Sequence, residues 1–358
     1  MLKPLHGGEP LLEEALASVC AQAYPEFQLV CGVGEASDPA AVVVKRLQAR
    51  FPDRDIALVA DAAEHGENGK VGNLINMLPA AKHDLLVISD SDVHTEPDYL
   101  QSIAAEFAAP QTGLVTTLYA GLPADGSLAA RLGALAIGQY FLPGALLARA
   151  LGREDALGAT MALRRETLAA VGGFEALAHH LADDNILGQL VRARGLRIRL
   201  ARSVCATTVP ETTLAALFRH ELRWARTIRT LVPASFAASA LQYPLAWSLV
   251  ALALAGGAGW AWGFFLLAWA VRALLAKEVD RQLGLAAKGL AAAAPVWLLP
   301  CREMLSLLVI GASYLGNRVE WRGRVLHTGL DSGGRNSVSD GAGGQMAAGH
   351  TTSGDQSR

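Results

Sequence analysis

Asp90-Ser91-Asp92 follows directly on the apolar run Asp84-Leu85-Leu86-Val87-Ile88-Ser89. Two carboxylates one residue apart, where a chain leaves a strand, suit a hard divalent cation. Mg2+ or Mn2+ takes one or two carboxylates and completes its shell with phosphate oxygens. Lys70 closes the polar cluster Gly66-Glu67-Asn68-Gly69-Lys70, behind a second apolar run, Ile56-Ala57-Leu58-Val59. It offers a point charge to a phosphate or a hydrogen bond to a nucleotide. Further on, His179-His180-Leu181-Ala182-Asp183-Asp184 opens an amphipathic stretch carrying Ile186, Leu187, Leu190 and Val191. An acid there is either a helix N-cap or a general base for a hydroxyl; the cap is more at home at Asp183 and the base at Asp184. The two histidines lack metal-ligand spacing, so zinc is not indicated. Finally, His220-Glu221-Leu222-Arg223-Trp224 stands just before a long uncharged stretch. Arg223 with Trp224 suits a diphosphate and the face of a sugar or lipid; the alternative is an Arg/Trp anchor at a membrane interface.

These clusters need elements to converge them. Gln28-Leu29-Val30-Cys31-Gly32-Val33 reads as a strand ending at Gly34, Glu35 and Asp38, and Pro39 opens a helix through Val42, Val43 and Leu47. Ile56–Val59 and Asp84–Ser89 are further strands. Strand–helix alternation predicts an α/β fold with a mostly parallel sheet, and such sheets bind ligands at the carboxyl ends of their strands. Glu35, Lys70 and the Asp90–Asp92 pair all fall at such ends.

The formal charge of −2 gives no basic field for nucleic acid. Charged residues make up only 18% and hydrophobic ones 52%, with mean hydropathy +0.28, which argues against a purely soluble protein. Cys20, Cys31, Cys205 and Cys301 share no ligand or framework spacing and read as core fillers. From Thr230 to Val271 there is no Asp, Glu, Lys or Arg, room for two membrane helices. Gly256-Gly257-Ala258-Gly259 is the natural hairpin turn, with Trp260, Trp262 and Trp269 as interfacial anchors. Arg219, Arg223, Arg226 and Arg229 before it, and Lys277, Arg281 and Lys288 after it, put both flanks on the cytoplasmic side. The apolar region Leu290–Leu315 contains Pro295, Pro300 and Arg302-Glu303. It reads as re-entrant or interfacial, with that charged pair facing protein or a polar cavity. The expected organisation is therefore a catalytic domain over 1–229, a membrane hairpin over 230–276, a third membrane segment over 277–328 and a disordered tail over 329–358.

Taken in order, Lys3-Pro4-Leu5, Asp38-Pro39-Ala40, Asn68-Gly69-Lys70, Asp90-Ser91-Asp92, Gly172-Gly173-Phe174, Ala182-Asp183-Asp184 and Arg223-Trp224 resemble the GT-A glycosyltransferases. The likeness is to the ceramide glucosyltransferase branch, family 21 of the broader family 2 superfamily, and within it to the bacterial hopanoid-biosynthesis-associated enzymes. It runs from about Leu2 to Leu326. The resemblance implies a GT-A fold, a UDP-sugar donor and inversion at the anomeric carbon. It implies that Glu35 lies near uracil and ribose, that Asp90 and Asp92 bind nucleotide and metal, and that Asp184 is the base. Arg223 and Trp224 would close the donor site. A hopanoid polyol with N-acetylglucosamine is the expected acceptor and sugar, and ceramide with glucose the alternative. The expected location is a bacterial inner membrane with the catalytic domain in the cytoplasm. Glu35 stands where the family usually has Asp, and His220 where it has Gln or Arg. Only Met1 and Leu2 precede Lys3, so the family's N-terminal helix and a full first strand are expected to be missing. A rival of another class is an inactive membrane-interaction protein.

Overall fold

The computed structural model describes residues 1–286, 288–291 and 293–316, together with three strands between 318 and 340. Eight strands form one mixed sheet: β1 (Leu2–Pro4), β2 (Gln28–Val33), β3 (Asp55–Ala60), β4 (Leu85–Ser89), β5 (Val93–His94), β6 (Thr112–Pro123), β7 (Thr160–Arg164) and β8 (Arg197–Val209). Their order is β3-β2-β1-β4-β7-β6-β8-β5. The first four run parallel, as the alternation of apolar runs and helices predicts, while β7 enters antiparallel to both β4 and β6.

A first strand is present, against expectation. Three residues suffice because each neighbour extends the pairing: Leu2, Lys3 and Pro4 register with Val30, Cys31 and Gly32, and Leu2 also with Ile88. Backbone bonds from Val30 N to Met1 O (2.9 Å) and from Leu5 N to Gly32 O (2.8 Å) satisfy the groups a gap would orphan. Met1, Leu2 and Leu5 are buried. Between β1 and β4 the chain order turns, the place where open α/β sheets bind ligands.

Helices cover both faces: α1 (Leu12–Cys20), α2 (Pro39–Arg50), α3 (Gly69–Met77), α4 (Tyr99–Glu106), α5 (Leu128–Ala136), α6 (Leu142–Ala150), α7 (Arg165–Ala170) and α8 (Asp183–Ala193). Asp38 starts α2 by accepting from Ala40 N at 2.8 Å, and the same carboxylate accepts from Gly7 N at 2.9 and 3.0 Å. The Asp-Pro motif thus caps one helix and ties down the loop after β1. Gly172 and Gly173 take φ of +99° and +74° to end α7, which lets Phe174 turn into the core beneath α3 and α8.

The apolar half comprises α9 (Leu214–Leu231), α10 (Pro233–Ala238), α11 (Pro244–Leu254), α12 (Gly259–Leu283) and α13 (Leu299–Ser313). The hairpin turn falls at Gly256 and Gly257, both with positive φ. Its first arm is not one straight helix: the chain bends by 66° between Gln242 and Pro244. Proline cannot continue the preceding ladder, and Glu303 stabilises the new start by accepting from Leu245 N (2.6 Å) and Ala246 N (3.2 Å). By length and composition, Gly259–Leu283 and Val296–Ser313 are each long and apolar enough to cross a membrane, and the bent pair adds a third segment if counted as one. Arg302 and Glu303 are 1% and 0% exposed and face protein. Cys20, Cys31 and Cys205 are buried as read, but Cys301 is exposed on α13, since a helix in this apolar half turns hydrophobic residues outward as well as inward. Strands β9 (Arg318–Trp321), β10 (Arg324–Leu330) and β11 (Asn336–Asp340) form a separate antiparallel sheet. Of the tail expected to lack structure, 329–330 and 336–340 lie in these strands, and the remainder falls outside the described residues.

Candidate active site

The carboxyl ends of β1 and β4 and the amino end of α8 bring four aspartates and two lysines together. Asp90 leaves β4 with Lys70 Nζ 2.8 Å from its Oδ1, and the same ammonium lies 3.3 Å from Asp183 Oδ2. Lys70 can reach both because Asn68 caps α3, accepting from Lys70 N and Val71 N, and so aims the first turn at the strand ends. Burial would weaken the ammonium's hold on its proton, yet the carboxylates of Asp183 and Asp90 more than reverse this and push its pKa up. Lys70 therefore bridges the Asp90–Asp92 turn to α8.

Asp92 is held from the other side. Thr207 Oγ1 donates to its Oδ2 at 2.5 Å, and Thr208 N donates to its carbonyl at 3.1 Å. Burial first, and then the neighbouring charge of Asp90, raise the Asp92 pKa to about 6. Beneath the turn lies Lys3, fully buried, donating to the carbonyls of Asp90 (2.6 Å) and Val93 (3.1 Å). Burial lowers its pKa to about 8 against the pull of Asp92 and Asp90.

Neither acid of the Asp183-Asp184 pair is a side-chain cap; Ala182 occupies that position. Asp183 is drawn to Lys70 instead. Asp184 accepts from Asn185 N at 2.7 Å. Burial and the adjacent Asp183 raise its pKa to about 6, Lys70 opposing them. A Cβ on Gly158 would sit 3.0 Å from Asp184 Oδ2, so the glycine at this point leaves the carboxylate its space. A carboxyl with its pKa raised to about 6 is mostly ionised at neutral pH, and it is a stronger base than an ordinary aspartate.

The other expected residues lie outside this cluster. Glu35 stands at the carboxyl end of β2, exposed, accepting from Ser37 Oγ at 3.1 Å. Arg223 and Trp224 lie on α9, grouped with His220 and Glu211. His220 is paired with Glu211 and packs edge-on to Trp224, with ring centroids 4.5 Å apart. Trp224 is 41% exposed.

Three contributors escape a reading by motif. Lys3 was visible only as part of a Lys-Pro-Leu string, and Thr207 sits in a strand with no chemical signature. Glu9, in the loop after β1, has a buried Oε2 with no hydrogen-bond partner among the described residues, and its charge acts on Asp92. An acid placed a few residues beyond a central strand was the available signal.

Among the described residues, no group of three or more His, Cys, Asp or Glu could hold a metal ion by itself. The donor set nevertheless fits Mg2+ or Mn2+, which need only one or two carboxylates when a diphosphate supplies the rest. Asp92 and Asp90 are the residues that would hold it, and the excess of carboxylate over ammonium favours a cation.

Comparison with known proteins gives this geometry a context. Residues 1–335 match glycosyl transferase family 21. The chain belongs to that family. It is similar to ceramide glucosyltransferase 1 of Caenorhabditis elegans, 22% identical over 242 residues that cover 68% of this chain and 52% of the relative. It is also similar to the ceramide glucosyltransferase of Komagataella phaffii, 32% identical over 97 residues that cover 26% of this chain and 19% of the relative. The chain thus spans about half the length, or less, of these relatives. Among solved structures, a mannosyltransferase of Pyrobaculum calidifontis in complex with GDP-Man and Mn2+ has a TM-score of 0.48 at 19% identity, covering 86% of this chain and 85% of that one. TarS of S. aureus in complex with UDP-GlcNAc has a TM-score of 0.40 at 13% identity, covering 94% and 97%.

Proposed function

We propose that this family 21 chain is an inverting glycosyltransferase of GT-A type that moves a sugar from a UDP-sugar to a hydroxyl of a membrane lipid. The observation that carries the reading is the Lys70-bridged set of aspartates at the carboxyl ends of β1 and β4, with Asp184 poised near 6 beside Gly158. The acceptor oxygen attacks the anomeric carbon; the new C–O bond forms as the bond to the UDP β-phosphate oxygen breaks on the opposite face. Asp184 takes the hydroxyl proton as attack proceeds, an effect of about 10²–10⁴ in rate. Asp92 and Asp90 would hold a divalent cation, which would supply positive charge against the diphosphate. Lys70 holds Asp90 and α8 at a fixed separation, so that donor and base keep their alignment. Glu35 meets the uridine, and Arg223 with Trp224 closes over the diphosphate and sugar.

The lipid acceptor is supported by the apolar helices and by α6, which exposes Leu146 and Leu147 and is followed by the exposed Leu151. Its inner face packs on Leu283, Leu285 and Leu290, at and beyond the end of α12. The stretch Leu132–Leu151 then forms a floor for the lipid's apolar body. We favour a hopanoid polyol, on the hint that Asp92 completes an Asp-x-Asp pair, with N-acetylglucosamine as the sugar that the resemblance to the bacterial enzymes implies. Ceramide and glucose are the second reading, favoured by the named relatives.

Membranes expressing the chain are given Mg2+ with UDP-glucose or UDP-N-acetylglucosamine, and bacteriohopanetetrol or ceramide. A hexosamine gained by the hopanoid in mass spectra supports the first reading, and a hexose on ceramide the second. No product from any pair, with UDP binding absent as well, overturns the enzyme.

A further inference from the structure

We infer that Lys3 is a positioning residue for the Asp90–Asp92 turn, holding from beneath the loop that offers its carboxylates to a divalent cation. The inference rests on the donor-site reading above. Lys3 is 0% exposed in the middle of β1. A lysine is almost never fully buried unless its charge is used. Here its ammonium donates to the carbonyls of Asp90 (2.6 Å) and Val93 (3.1 Å), the first and last residues of Asp90-Ser91-Asp92-Val93. One side chain therefore spans the turn, whose own closing bond, Val93 N to Asp90 O, is a long 3.4 Å.

The register explains why Lys3 is placed to do this. Leu2 pairs with Ile88, so the next residue of β1 lies alongside Ser89, the last residue before the turn. Lys70 and Thr207 grip the same turn through the side chains of Asp90 and Asp92. Lys3 hydrogen-bonds to backbone alone and itself takes up no carboxylate oxygen. Its charge also sits behind Asp90 and Asp92, where it attracts both. Groups that orient metal ligands in this way typically account for about 10–100-fold in metal affinity.

The test uses the full chain in detergent and two variants, Lys3→Met and Lys3→Gln. Met keeps the length and apolar stem without donors or charge; Gln keeps one donor group without charge. Mn2+ binding in the presence of UDP is read by electron paramagnetic resonance, and UDP binding is measured separately in EDTA. The expected result is a loss of about 10–100-fold in Mn2+ affinity for Lys3→Met, a smaller loss for Lys3→Gln, and unchanged metal-free UDP binding in both. If Lys3→Met does not fold, Lys3→Gln carries the comparison. Unchanged Mn2+ affinity in a folded variant overturns the inference, as does an equal loss in both readouts, which marks general collapse. Wild-type chain that binds neither Mn2+ nor UDP overturns the donor-site reading itself, and the role of Lys3 with it.

Discussion

Around Asp90, four aspartates share two lysines; around Arg302, two arginines face two glutamates. In the second cluster Arg302 forms a two-pronged pair with Glu221 of α9, both contacts at 2.7 Å, and bonds further to Leu132 O and Ser306 Oγ. Glu303 accepts from Tyr140 (2.9 Å), Arg272 (3.2 Å) and the first amides of α11. Each carboxylate there is met by an arginine, and the network joins α5, α9, α11, α12 and α13 into one body. The first cluster is left with excess negative charge and two carboxyls raised to about 6. Each group holds buried charge, Lys3 and Asp183 in the first and Arg302 and Glu303 in the second, so a buried charge alone does not distinguish a site from a strut. Imbalance does: a balanced cluster is complete, whereas an unbalanced one is complementary to something yet to bind.

The contrast is broken most sharply at Arg302. Arg302→Met leaves Glu221 buried without its partner and is expected to cost about 3–5 kcal/mol of stability. The double variant Arg302→Met with Glu221→Leu should regain most of that loss. Thermal unfolding in detergent measures both, and a double variant as unstable as the single would refute the reading of a closed strut.

The strand-end cluster should respond in the opposite sense. Because the folded-state pKa of Asp184 is raised, the folded chain favours the protonated acid, and the ionised carboxylate destabilises the fold. That penalty is absent below the unfolded value, grows as pH rises, and is complete above about 6. Asp184→Asn should therefore stabilise the protein by about 1–2 kcal/mol at pH 8, after losing some attraction to the start of α8. The advantage should vanish by about pH 4. Melting curves at the two pH values check the sign.

Smaller effects sharpen the picture near the base. Gly158→Ala brings a methyl to within 3.0 Å of Asp184 Oδ2. It should lower kcat about tenfold through misplacement of the base, with KM for the donor little changed. Steady-state kinetics separate the two constants. The least effect is expected at Glu9, whose buried Oε2 has no hydrogen-bond partner among the described residues. If it bonds the nucleotide, Glu9→Gln should raise the donor KM by about 2–10-fold, the worth of one hydrogen bond.

Much of this arrangement was legible before any coordinates. Gln28–Val33 is a strand to the residue, Pro39 opens α2, and Gly256-Gly257 makes the hairpin turn, because apolar periodicity and the proline and glycine signals are local. The α/β architecture followed from their alternation. The bend before Pro244 was not legible, since the amides of α11 are satisfied by Glu303, 58 positions from Leu245 along the chain. The pairing of Asp183 with Lys70, in place of a helix cap, was hidden for the same reason: it depends on a lysine brought in by α3. The role of Lys3 escaped because Lys3-Pro4-Leu5 carries only a resemblance, and only the pairing of β1 with β4 puts the lysine under the turn.

The central claim is that the unbalanced cluster is a transferase site with Asp184 as its base. It is tested most directly by measuring sugar transfer between pH 5 and 8 for the wild type and Asp184→Asn, with UDP binding followed alongside. The account predicts a wild-type rate that rises through a midpoint near 6 and a variant that binds UDP but has lost about 10²–10⁴ of its turnover. A variant that transfers sugar at the wild-type rate would contradict it.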